Sequence, residues 1–427
     1  MAKTKNKETL TPEERLQAVL VPDWEQPYKV PENWCWVHLL DSFENCTNSK
    51  KKIPQKEYLQ GGKIAVVDQG QDLVGGYTNN EEMVFAGNLP IIIFGDHTRC
   101  IKYIDFPFAQ GADGVKVLKP KQFFNSKAFY YAFQTVEIPN MGYRRHFPLF
   151  DRYAIPVPPL PEQQRIVDRI ESLFAKLDEA KQKAQDALDS FETRKAAILH
   201  KAFTGELTAQ WRKEHGVGME SWAKKRFDEV ATIKSNLVDP ATFPDFPHIA
   251  PDNIEKKTGV LLEYNTVSED GVTSGKHRFY PGQILYSKIR PYLSKVVVVD
   301  FDGLCSADMY PIEAKGNTKC LWYYMLSEEF LEQASTAGSR SVLPKINQKE
   351  LSALTVVLPT LSDEQTEIVR ILDDLFAKEQ QAKETAEAVL EQTDLIKKSI
   401  LARAFRGELG TNDPTEESAV ELVGNII

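Results

Sequence analysis

Two long stretches of the chain carry apolar residues at the spacing of a helical seam. The first runs from Glu162 to Phe203 and contains neither glycine nor proline. Its apolar or small residues recur every three or four positions, the heptad spacing of helices that pair along one face. The seam residues are Ile166, Ile170, Leu173, Leu177, Ala180, Ala184, Ala187, Phe191 and Ile198 in the first stretch, and Ile368, Leu372, Leu375, Ala382, Ala386, Val389, Ile396 and Ile400 in the second. The pattern predicts two paired helices of about 40 residues, each about 60 Å long.

The two stretches belong to an internal repeat with an offset of 202 residues. The sequence Leu-Phe-Ala-Lys at 173–176 recurs at 375–378, and the Gly-Glu-Leu that ends the first stretch recurs at 407–409. The match needs no gap, so duplication of about 200 residues explains it better than chance. A weaker match of residues 10–15 with residues 207–212 suggests a cyclic repeat whose two ends lie close in space.

The segments outside the helices have the pattern of two α/β domains. Short apolar runs such as 91–94 and 296–299 predict buried strands, and they alternate with glycine-containing turns. The predicted boundaries are 1–32 for an N-terminal segment, 33–158 for the first domain, 159–207 for a central repeat helix, 208–358 for the second domain, 359–409 for a C-terminal repeat helix and 410–427 for an acidic tail.

Composition and motifs narrow the classes of function. The 427 residues suffice for two to four domains, and 42% hydrophobic with 26% charged residues is typical of a folded protein. Five cysteines without a C-x-x-C pair indicate reduced cytosolic thiols, and no apolar run is long enough for a membrane helix. Phosphate-loop, dinucleotide-binding, serine-hydrolase, zinc and amino-methyltransferase motifs are all absent, which favours a binding or scaffold protein over an enzyme.

The repeated motifs are similar to those of a known family. Residues 158–167 read Pro-Pro-Leu-Pro-Glu-Gln-Gln-Arg-Ile-Val, and the first helix ends in Ala-Phe-Thr-Gly-Glu-Leu at 202–207, which recurs as Ala-Phe-Arg-Gly-Glu-Leu at 404–409. In these motifs the chain resembles the specificity subunit of type I restriction–modification enzymes. Residues 282–293 and 303–308 also resemble the target-recognition domains of that family.

The resemblance implies a fold and a function. It implies an α/β (α+β) protein in which two target-recognition domains are separated by two long antiparallel helices, with a pseudo-two-fold cyclic repeat. Such a subunit is non-catalytic, and each domain reads one half of a bipartite, asymmetric target in double-stranded DNA. The helices set the unread gap and dock two methyltransferase subunits that use S-adenosylmethionine, and two restriction subunits add translocation and cleavage with ATP and Mg²⁺. The chain itself is expected to need no cofactor, to contact no membrane and to be cytoplasmic.

Candidate DNA-contacting residues are polar or basic side chains in turns, because these groups can hydrogen-bond to base edges or phosphates. The candidates are Lys50, Lys51, Lys52, Thr78, Asn79, Tyr143, Arg144 and Arg145 in the first domain, and Lys276, Arg278, Ser287, Lys288, Arg290, Ser339, Arg340 and Lys345 in the second. The resemblance adds Phe203, Glu206, Leu207, Phe405, Glu408 and Leu409 as candidate methyltransferase-docking residues. For any one lysine or arginine the alternative is a solvated surface charge, and for Lys288 and Arg290 it is a structural turn.

The formal net charge of the chain is −9, but this charge is unevenly distributed along the sequence. Residues 359–427 carry a net charge of −8, whereas residues 1–156 and 216–358 carry +1 and −2. The two domains are therefore near neutral, and we expect the chain to bind DNA only within a larger, more basic assembly. Two alternatives remain open, namely a coiled-coil adaptor or scaffold that does not bind DNA, and a fused methyltransferase or nuclease.

Overall fold

The chain folds into two compact units, each of which combines segments that are distant in sequence. The structure is a computed structural model that describes residues 11–338 and 344–427. Unit 1 comprises Met1–Lys183 and Val389–Ile427, and unit 2 comprises Ala184–Ala388. Each unit therefore holds one α/β domain together with a part of each repeated helical segment. No helix in the described residues is long and apolar enough to cross a membrane.

Helices and strands alternate along the described residues, and the longest helices lie in the two repeated segments. The helices are α1 Pro12–Val19, α2 Ser126–Phe133, α3 Leu160–Asp189, α4 Phe191–Phe203, α5 Ala209–Glu214, α6 Phe227–Val230, α7 Thr318–Met325, α8 Glu328–Ala337, α9 Gln348–Ala353, α10 Ser362–Ala404 and α11 Ala419–Gly424. The strands are β1 Cys35–His38, β2 Phe43–Asn45, β3 Ile64–Val67, β4 Gly76–Thr78, β5 Ile91–Gly95, β6 Ile101–Ile104, β7 Phe108–Gln110, β8 Val115–Pro120, β9 Ala154–Val157, β10 Trp222–Arg226, β11 Ala231–Ile233, β12 Leu237–Val238, β13 Pro247–Ile249, β14 Asn265–Thr266, β15 Lys276–Phe279, β16 Ile284–Ser287, β17 Val296–Val298, β18 Gly303–Cys305, β19 Met309–Ala314 and β20 Thr355–Pro359.

The central sheets of the two units have the same strand order. An antiparallel sheet is ordered β2-β8-β5-β6 in unit 1 and β11-β19-β16-β17 in unit 2. A second sheet in each unit includes one parallel pair, β3 with β7 and β13 with β18. The strand that opens each domain pairs with the strand that leads into the long helix, β1 with β9 and β10 with β20. The duplication that the sequence predicts is therefore present in the fold.

Aromatic side chains fill the space between each sheet and its helices. All residues of β5 are buried, as expected for a continuous apolar run. In unit 1 the ring of Phe94 lies 4.8 Å from that of Phe150 and 5.7 Å from that of Phe133 of α2. In unit 2 the rings of Phe227 and Phe330 lie 6.0 Å apart. Each domain thus has its own core, and its loops are fixed on a rigid sheet.

The long helices run antiparallel where they pack inside a unit. In unit 2, Lys383 of α10 lies over the ring of Phe191, and Lys195 of α4 lies over the ring of Phe376. Residue numbers therefore fall along one helix as they rise along the other. The first repeated segment is interrupted at Ser190, whose hydroxyl donates to a carbonyl one turn earlier, whereas α10 is continuous.

A buried glutamate at the start of α10 holds unit 2 together. Oε1 of Glu364 accepts hydrogen bonds from Arg212 Nη1 at 2.7 Å, Thr208 Oγ1 at 2.9 Å and Trp222 Nε1 at 3.0 Å. Oε2 accepts from Ser221 Oγ at 3.1 Å. Burial alone would raise the pKa of Glu364, but these hydrogen bonds outweigh it and hold the pKa below its ordinary value. The carboxylate therefore joins the first strand of the domain, α5 and α10.

The equivalent glutamate of unit 1, Glu162 in the first turn of α3, is also fully buried. Its Oε2 accepts hydrogen bonds from Trp34 Nε1 at 2.7 Å and from Asn412 Nδ2 at 2.8 Å. Thr411 Oγ1 donates to Oε1 at 3.2 Å. The weak match of residues 10–15 to the segment after the first helix suggests that the N-terminal segment fills this place, but the C-terminal tail supplies the partners instead.

The segments near the two ends of the chain meet in unit 1. Asn412 donates to the side chain of Asn33 at 2.8 Å, and the amide of Ala419 donates to the carbonyl of Asn33 at 2.9 Å. Arg165 of α3 forms a two-pronged ion pair with Glu416, with N–O distances of 2.7 and 2.9 Å. Helix α1, near the N-terminus, also contacts α11, near the C-terminus. The predicted proximity of the two ends is therefore confirmed for the described residues, and the acidic tail is part of the folded unit.

Candidate DNA interface

Three loops of unit 1 are joined at one end of its four-stranded sheet. The amide of Asp96, which follows β5, donates to the carbonyl of Gly114 at 2.6 Å. The carbonyl of Asp96 accepts the amide of His146 at 2.8 Å. These bonds connect the loop after β5, the turn between β7 and β8, and the loop that precedes β9. We call this group of loops edge 1.

Unit 2 has the same backbone connections at the same end of its sheet. The amide of Lys288, which follows β16, donates to the carbonyl of Asp308 at 3.0 Å. The carbonyl of Lys288 accepts the amide of Ile346 at 2.9 Å. Lys288, Asp308 and Ile346 thus take the places that Asp96, Gly114 and His146 have in unit 1. We call this group of loops edge 2.

A buried histidine fixes the loop of edge 1 that carries two arginines. The imidazole Nε2 of His146 accepts the amide of Met141 at 3.2 Å, so the proton lies on Nδ1, which donates to the carbonyl of Asp96 at 2.8 Å. The carboxylate of Asp96 accepts the amide of Phe147 at 2.7 Å. Gly142 has a φ of +66°, a conformation that favours glycine. The loop is therefore held at both ends and turns outward between them.

Tyr143, Arg144 and Arg145 project from this fixed loop. Tyr143 is 88% exposed, and its ring stacks on that of His97 with centroids 5.0 Å apart. Both arginines are exposed, and neither forms an ion pair within the described residues. A stacked aromatic ring beside two free guanidinium groups can contact bases and phosphates at the same time. The structure therefore brings these three predicted residues together at edge 1.

The lysines of the first domain lie in the loop after β2, next to edge 1. Lys50 and Lys51 are exposed and Lys52 is half-buried. The amides of Lys50 and Lys51 donate to Oδ1 of Asn48, at 2.9 and 3.3 Å, so the backbone of the turn is fixed while both residues stay exposed. The carbonyl of Ile53 accepts the amide of residue 112 in the β7–β8 turn at 2.8 Å, which joins this loop to edge 1.

The other two candidates of the first domain lie at the end of β4, where Thr78 is the last residue of the strand and Asn79 follows it. Thr78 is buried, and its hydroxyl accepts the amide of Asn80 at 3.2 Å. Asn79 is exposed, and its Oδ1 accepts the amide of Lys63 at 3.1 Å. Burial keeps Thr78 from reaching a ligand in this conformation, and it shapes the turn instead. Within the described residues the Nδ2 group of Asn79 has no hydrogen-bond partner, so it can donate to a ligand.

Two lysines of edge 2 share one carboxylate. Lys345 Nζ lies 2.9 Å from Oδ1 of Asp308, and Lys288 Nζ lies 3.8 Å from the same atom. Burial lowers the pKa of Lys288, and the charge of Lys345 lowers it further. Arg290 is exposed, has a left-handed φ of +48° and donates its amide to the carbonyl of Pro344 at 2.7 Å. Edge 2 therefore presents a carboxylate beside two lysines, whereas edge 1 presents two arginines that form no ion pair within the described residues.

Two further candidates of the second domain are buried in strands, and two lie outside the described residues. Ser287 is 2% exposed and donates to a backbone carbonyl, and Lys276 is 6% exposed and donates to both oxygens of Ser274. These two side chains serve the fold in this conformation. Ser339 and Arg340 lie outside the described residues.

Arg278 is held in a pocket of aromatic rings. Its guanidinium lies 5.1 Å from the ring centroid of Phe243, 5.5 Å from that of Phe246 and 4.9 Å from that of Tyr280. Nη2 lies 3.8 Å from a carboxylate oxygen of Asp302. The side chain remains 30% exposed, so part of it is accessible to a ligand.

The candidate docking residues divide into core and surface groups. Phe405 is fully buried in the core of unit 1, and Phe203 is 6% exposed, with its ring 5.1 Å from that of Tyr324. Glu206 and Glu408 are exposed, and Leu207 and Leu409 are half-buried. The phenylalanines therefore hold each helix end on its own unit, and only the residues after them are accessible.

Sequence reasoning missed the residues that connect the loops. Asp96 and His146 carry no motif, since their pairing depends on contacts across 50 residues. Glu162 and Glu364 did carry a signal, because they recur at the repeat offset, but their role as buried acceptors needs the third dimension. Among the described residues, no group of three histidine, cysteine, aspartate or glutamate side chains could hold a metal ion.

Comparison with known proteins places the chain in a family. The model of the type I restriction modification DNA specificity domain matches residues 31–188 and 219–392, more than half of the chain. This match does not favour an adaptor that does not bind DNA. The HsdS subunit from Thermoanaerobacter tengcongensis has the same fold, with a TM-score of 0.59 and 18% identity over 90% of this chain and 100% of that chain.

Two curated relatives are both named as the specificity subunit of a type I restriction enzyme. The specificity subunit of type I restriction enzyme EcoDI from Escherichia coli is 41% identical, over 60% of this chain and 62% of the relative. That of EcoKI from Escherichia coli strain K12 is 26% identical, over 61% of this chain and 58% of the relative. The matched part is thus less than two thirds of either relative. The matched model and the shared fold together establish that the chain belongs to the family of type I restriction modification DNA specificity domains.

Proposed function

We propose that the chain is the non-catalytic subunit that recognises the DNA sequence for a type I restriction–modification complex. Each domain reads one half of a bipartite, asymmetric target in double-stranded DNA. The observation that supports this proposal is the structural correspondence between edge 1 and edge 2. The two edges have the same backbone connections but different side chains, as expected of two readers with a common origin and different targets.

The side chains at the two edges favour different base contacts. Arginine is suited to the O6 and N7 atoms of guanine, and Arg144 and Arg145 are free to make such contacts. A carboxylate accepts from the N4 group of cytosine, while lysine donates to guanine, and edge 2 presents Asp308 with Lys345. Different donor and acceptor sets at two sites support an asymmetric target.

Partner subunits supply what this chain lacks in the proposal. Two methyltransferase subunits with S-adenosylmethionine would modify the target, and two restriction subunits with ATP and Mg²⁺ would translocate and cleave DNA. The near-neutral charge of both domains supports this division, because a reader without excess positive charge depends on partners for phosphate contacts. The five free cysteines in the structure are consistent with a cytoplasmic complex.

We also propose where the methyltransferase subunits dock. Glu206 with Leu207, and Glu408 with Leu409, follow the buried phenylalanines at equivalent helix ends. Two equivalent sites of this kind would bind two copies of one partner, since each offers an exposed carboxylate beside a partly exposed apolar side chain.

Sequencing of methylated bases in a cell that carries this chain and its methyltransferase tests the proposal. We expect one split motif with a methylated adenine in each half, and co-elution of the two proteins in size-exclusion chromatography. Deletion of this chain should remove the methylation altogether. Methylation without a split motif, or methyl transfer by the isolated chain, would contradict the proposal.

A further inference from the structure

A cavity of about 440 Å³ in unit 2 is lined by four lysines. It lies between α4, α10 and the loop of residues 255–260. The lysines that line it are Lys195, Lys256, Lys257 and Lys383, and the aromatic rings are those of Phe191, Trp322, Tyr323 and Phe376. None of these lysines belongs to edge 2, so the cavity is a second basic feature of this unit.

The loop that forms one wall of the cavity is firmly built. Nζ of Lys195 donates to the carbonyl of Lys257 at 3.0 Å and to that of Thr258 at 3.2 Å. The amide of Lys257 donates to the carbonyl of Leu293 at 3.1 Å. Gly259 has a φ of +78° and leaves no room for a Cβ, which would lie 2.4 Å from the ring of Trp322. The loop is therefore fixed against α4 and α7.

This fixed loop presents two lysines in a conformation that costs energy. Lys257 has a φ of +63°, which a side chain with a Cβ adopts only under constraint. Lys256 and Lys257 are both exposed at the rim of the cavity, and Lys383 of α10 is half-buried beside them. Surrounding contacts therefore hold the backbone of this loop so that Lys256 and Lys257 lie at the rim of the cavity with Lys383.

The positive charge of the cavity is not fully compensated within the chain. Glu192 and Glu255 also line it, but within the described residues none of its four lysines forms an ion pair. Burial lowers the pKa of Lys195, and the charge of Lys383 lowers it further, although the two carboxylates act in the opposite direction. An anion placed at the rim would relieve this repulsion.

We propose that Lys256, Lys257 and Lys383 bind phosphates of duplex DNA at a site outside the reading edges. This inference rests on the proposed function. The ammonium group of lysine acts as a point charge, so it can bind phosphate from many directions. Arginine, in contrast, is the residue that more often contacts base edges. Three ammonium groups on two separate elements suit an extended polyanion better than a small ion. The contact adds affinity to every DNA sequence equally and does not select bases.

Salt dependence tests the inference without knowledge of the target. The complex of the chain with its methyltransferase partner is titrated onto a random-sequence duplex of about 40 base pairs at salt concentrations from about 50 to about 200 mM. Each lost phosphate contact lowers the slope of log affinity against log salt by about 0.9. We therefore expect Lys256→Ala, Lys257→Ala and Lys383→Ala each to lower the slope by about that amount, and the triple variant by between about 2 and 3.

Matched variants separate this effect from damage to the fold. Replacement of the same lysines by arginine should keep the wild-type slope. Lys213→Ala is the control at an exposed lysine of α5, which lies near the start of α10, about 29 Å along the helix from Lys383. The control should leave the slope unchanged, and thermal unfolding should be the same for all variants.

Other outcomes overturn the inference in distinct ways. A wild-type slope for the triple alanine variant would show that DNA does not contact the rim. Loss of the methyltransferase from the complex with an unchanged slope would assign the rim to an acidic protein surface instead. Failure of the wild-type complex to bind any duplex would overturn the proposed function itself, together with this inference.

Discussion

The indole Nε1 of Trp34 donates a hydrogen bond of 2.7 Å to Oε2 of Glu162, a carboxylate with no exposure to solvent. Trp222 makes the same contact with Glu364, at 3.0 Å. Each bond joins the beginning of an α/β domain to the first turn of a long helix. The orientation of each domain on its helix therefore depends on a buried polar contact, which is sensitive to the loss of either partner.

Trp34→Phe should destabilise unit 1 by between about 1 and about 3 kcal/mol, because it leaves a buried carboxylate without one of its donors. Urea unfolding followed by circular dichroism measures the change in the free energy of unfolding. Trp24→Phe is the matched control, since Trp24 is 83% exposed. Equal stability of the two variants would show that Asn412 and Thr411 suffice to satisfy Glu162.

The pH dependence of stability should report on Glu364. Its pKa in the folded chain lies below the ordinary value of 4.5, so its hydrogen bonds contribute fully above about pH 4.5. Their contribution is lost as the pH falls through the pKa of the folded state. The wild-type chain should therefore keep this part of its free energy of unfolding above about pH 4.5 and lose it progressively as the pH falls below that value.

Glu364→Gln should reduce this acid sensitivity because it removes the titrating group. At pH 7 the same variant should be less stable by between about 3 and about 5 kcal/mol, since Arg212 would be left without its buried partner. Glu206→Gln at an exposed position is the control and should behave as the wild type. If the free energy of unfolding varied with pH in the same way for the wild type and Glu364→Gln, the acid sensitivity would not come from Glu364.

The repeat explains why so much of the fold was predictable. Heptad spacing can be recognised from neighbouring residues alone. It therefore predicted both long helical segments, but not the break at Ser190. The break escaped because serine is tolerated inside helices and interrupts one only through its bonds to carbonyls. Strand order was not predictable in the same way, since the pairing of β2 with β8 joins segments about 75 residues apart.

The candidate site was predictable in position but not in detail. Tyr143, Arg144 and Arg145 stand out as a polar run after a glycine, and the structure places them together at edge 1. Ser287 and Lys276 have the same residue chemistry but point into the fold, because strand pairing decides which side is buried. Sequence patterns therefore identified the loop and could not distinguish displayed from buried polar groups.

Arginine substitutions at edge 1 should weaken specific binding by the assembled complex. Arg144→Ala and Arg145→Ala each remove a free guanidinium, and we expect a loss of between about 1 and about 3 kcal/mol for a residue that reads a base. An electrophoretic mobility shift assay with a duplex that contains the split motif measures this loss of affinity. Arg169→Ala is the control, because Arg169 is exposed but lies on α3, outside edge 1. An equal loss on random DNA would assign these arginines to phosphates.

Removal of the buried imidazole should loosen edge 1 without unfolding unit 1. In His146→Phe the amide of Met141 loses its acceptor, while the backbone bond between residues 96 and 146 remains. We expect hydrogen exchange of residues 139–145 to accelerate by about tenfold or more, since local opening then costs less free energy. Specific DNA affinity should fall because the arginines must be ordered on binding. His215→Phe at an exposed position of unit 2 serves as the control, and unchanged exchange in His146→Phe would show that the backbone alone fixes the loop.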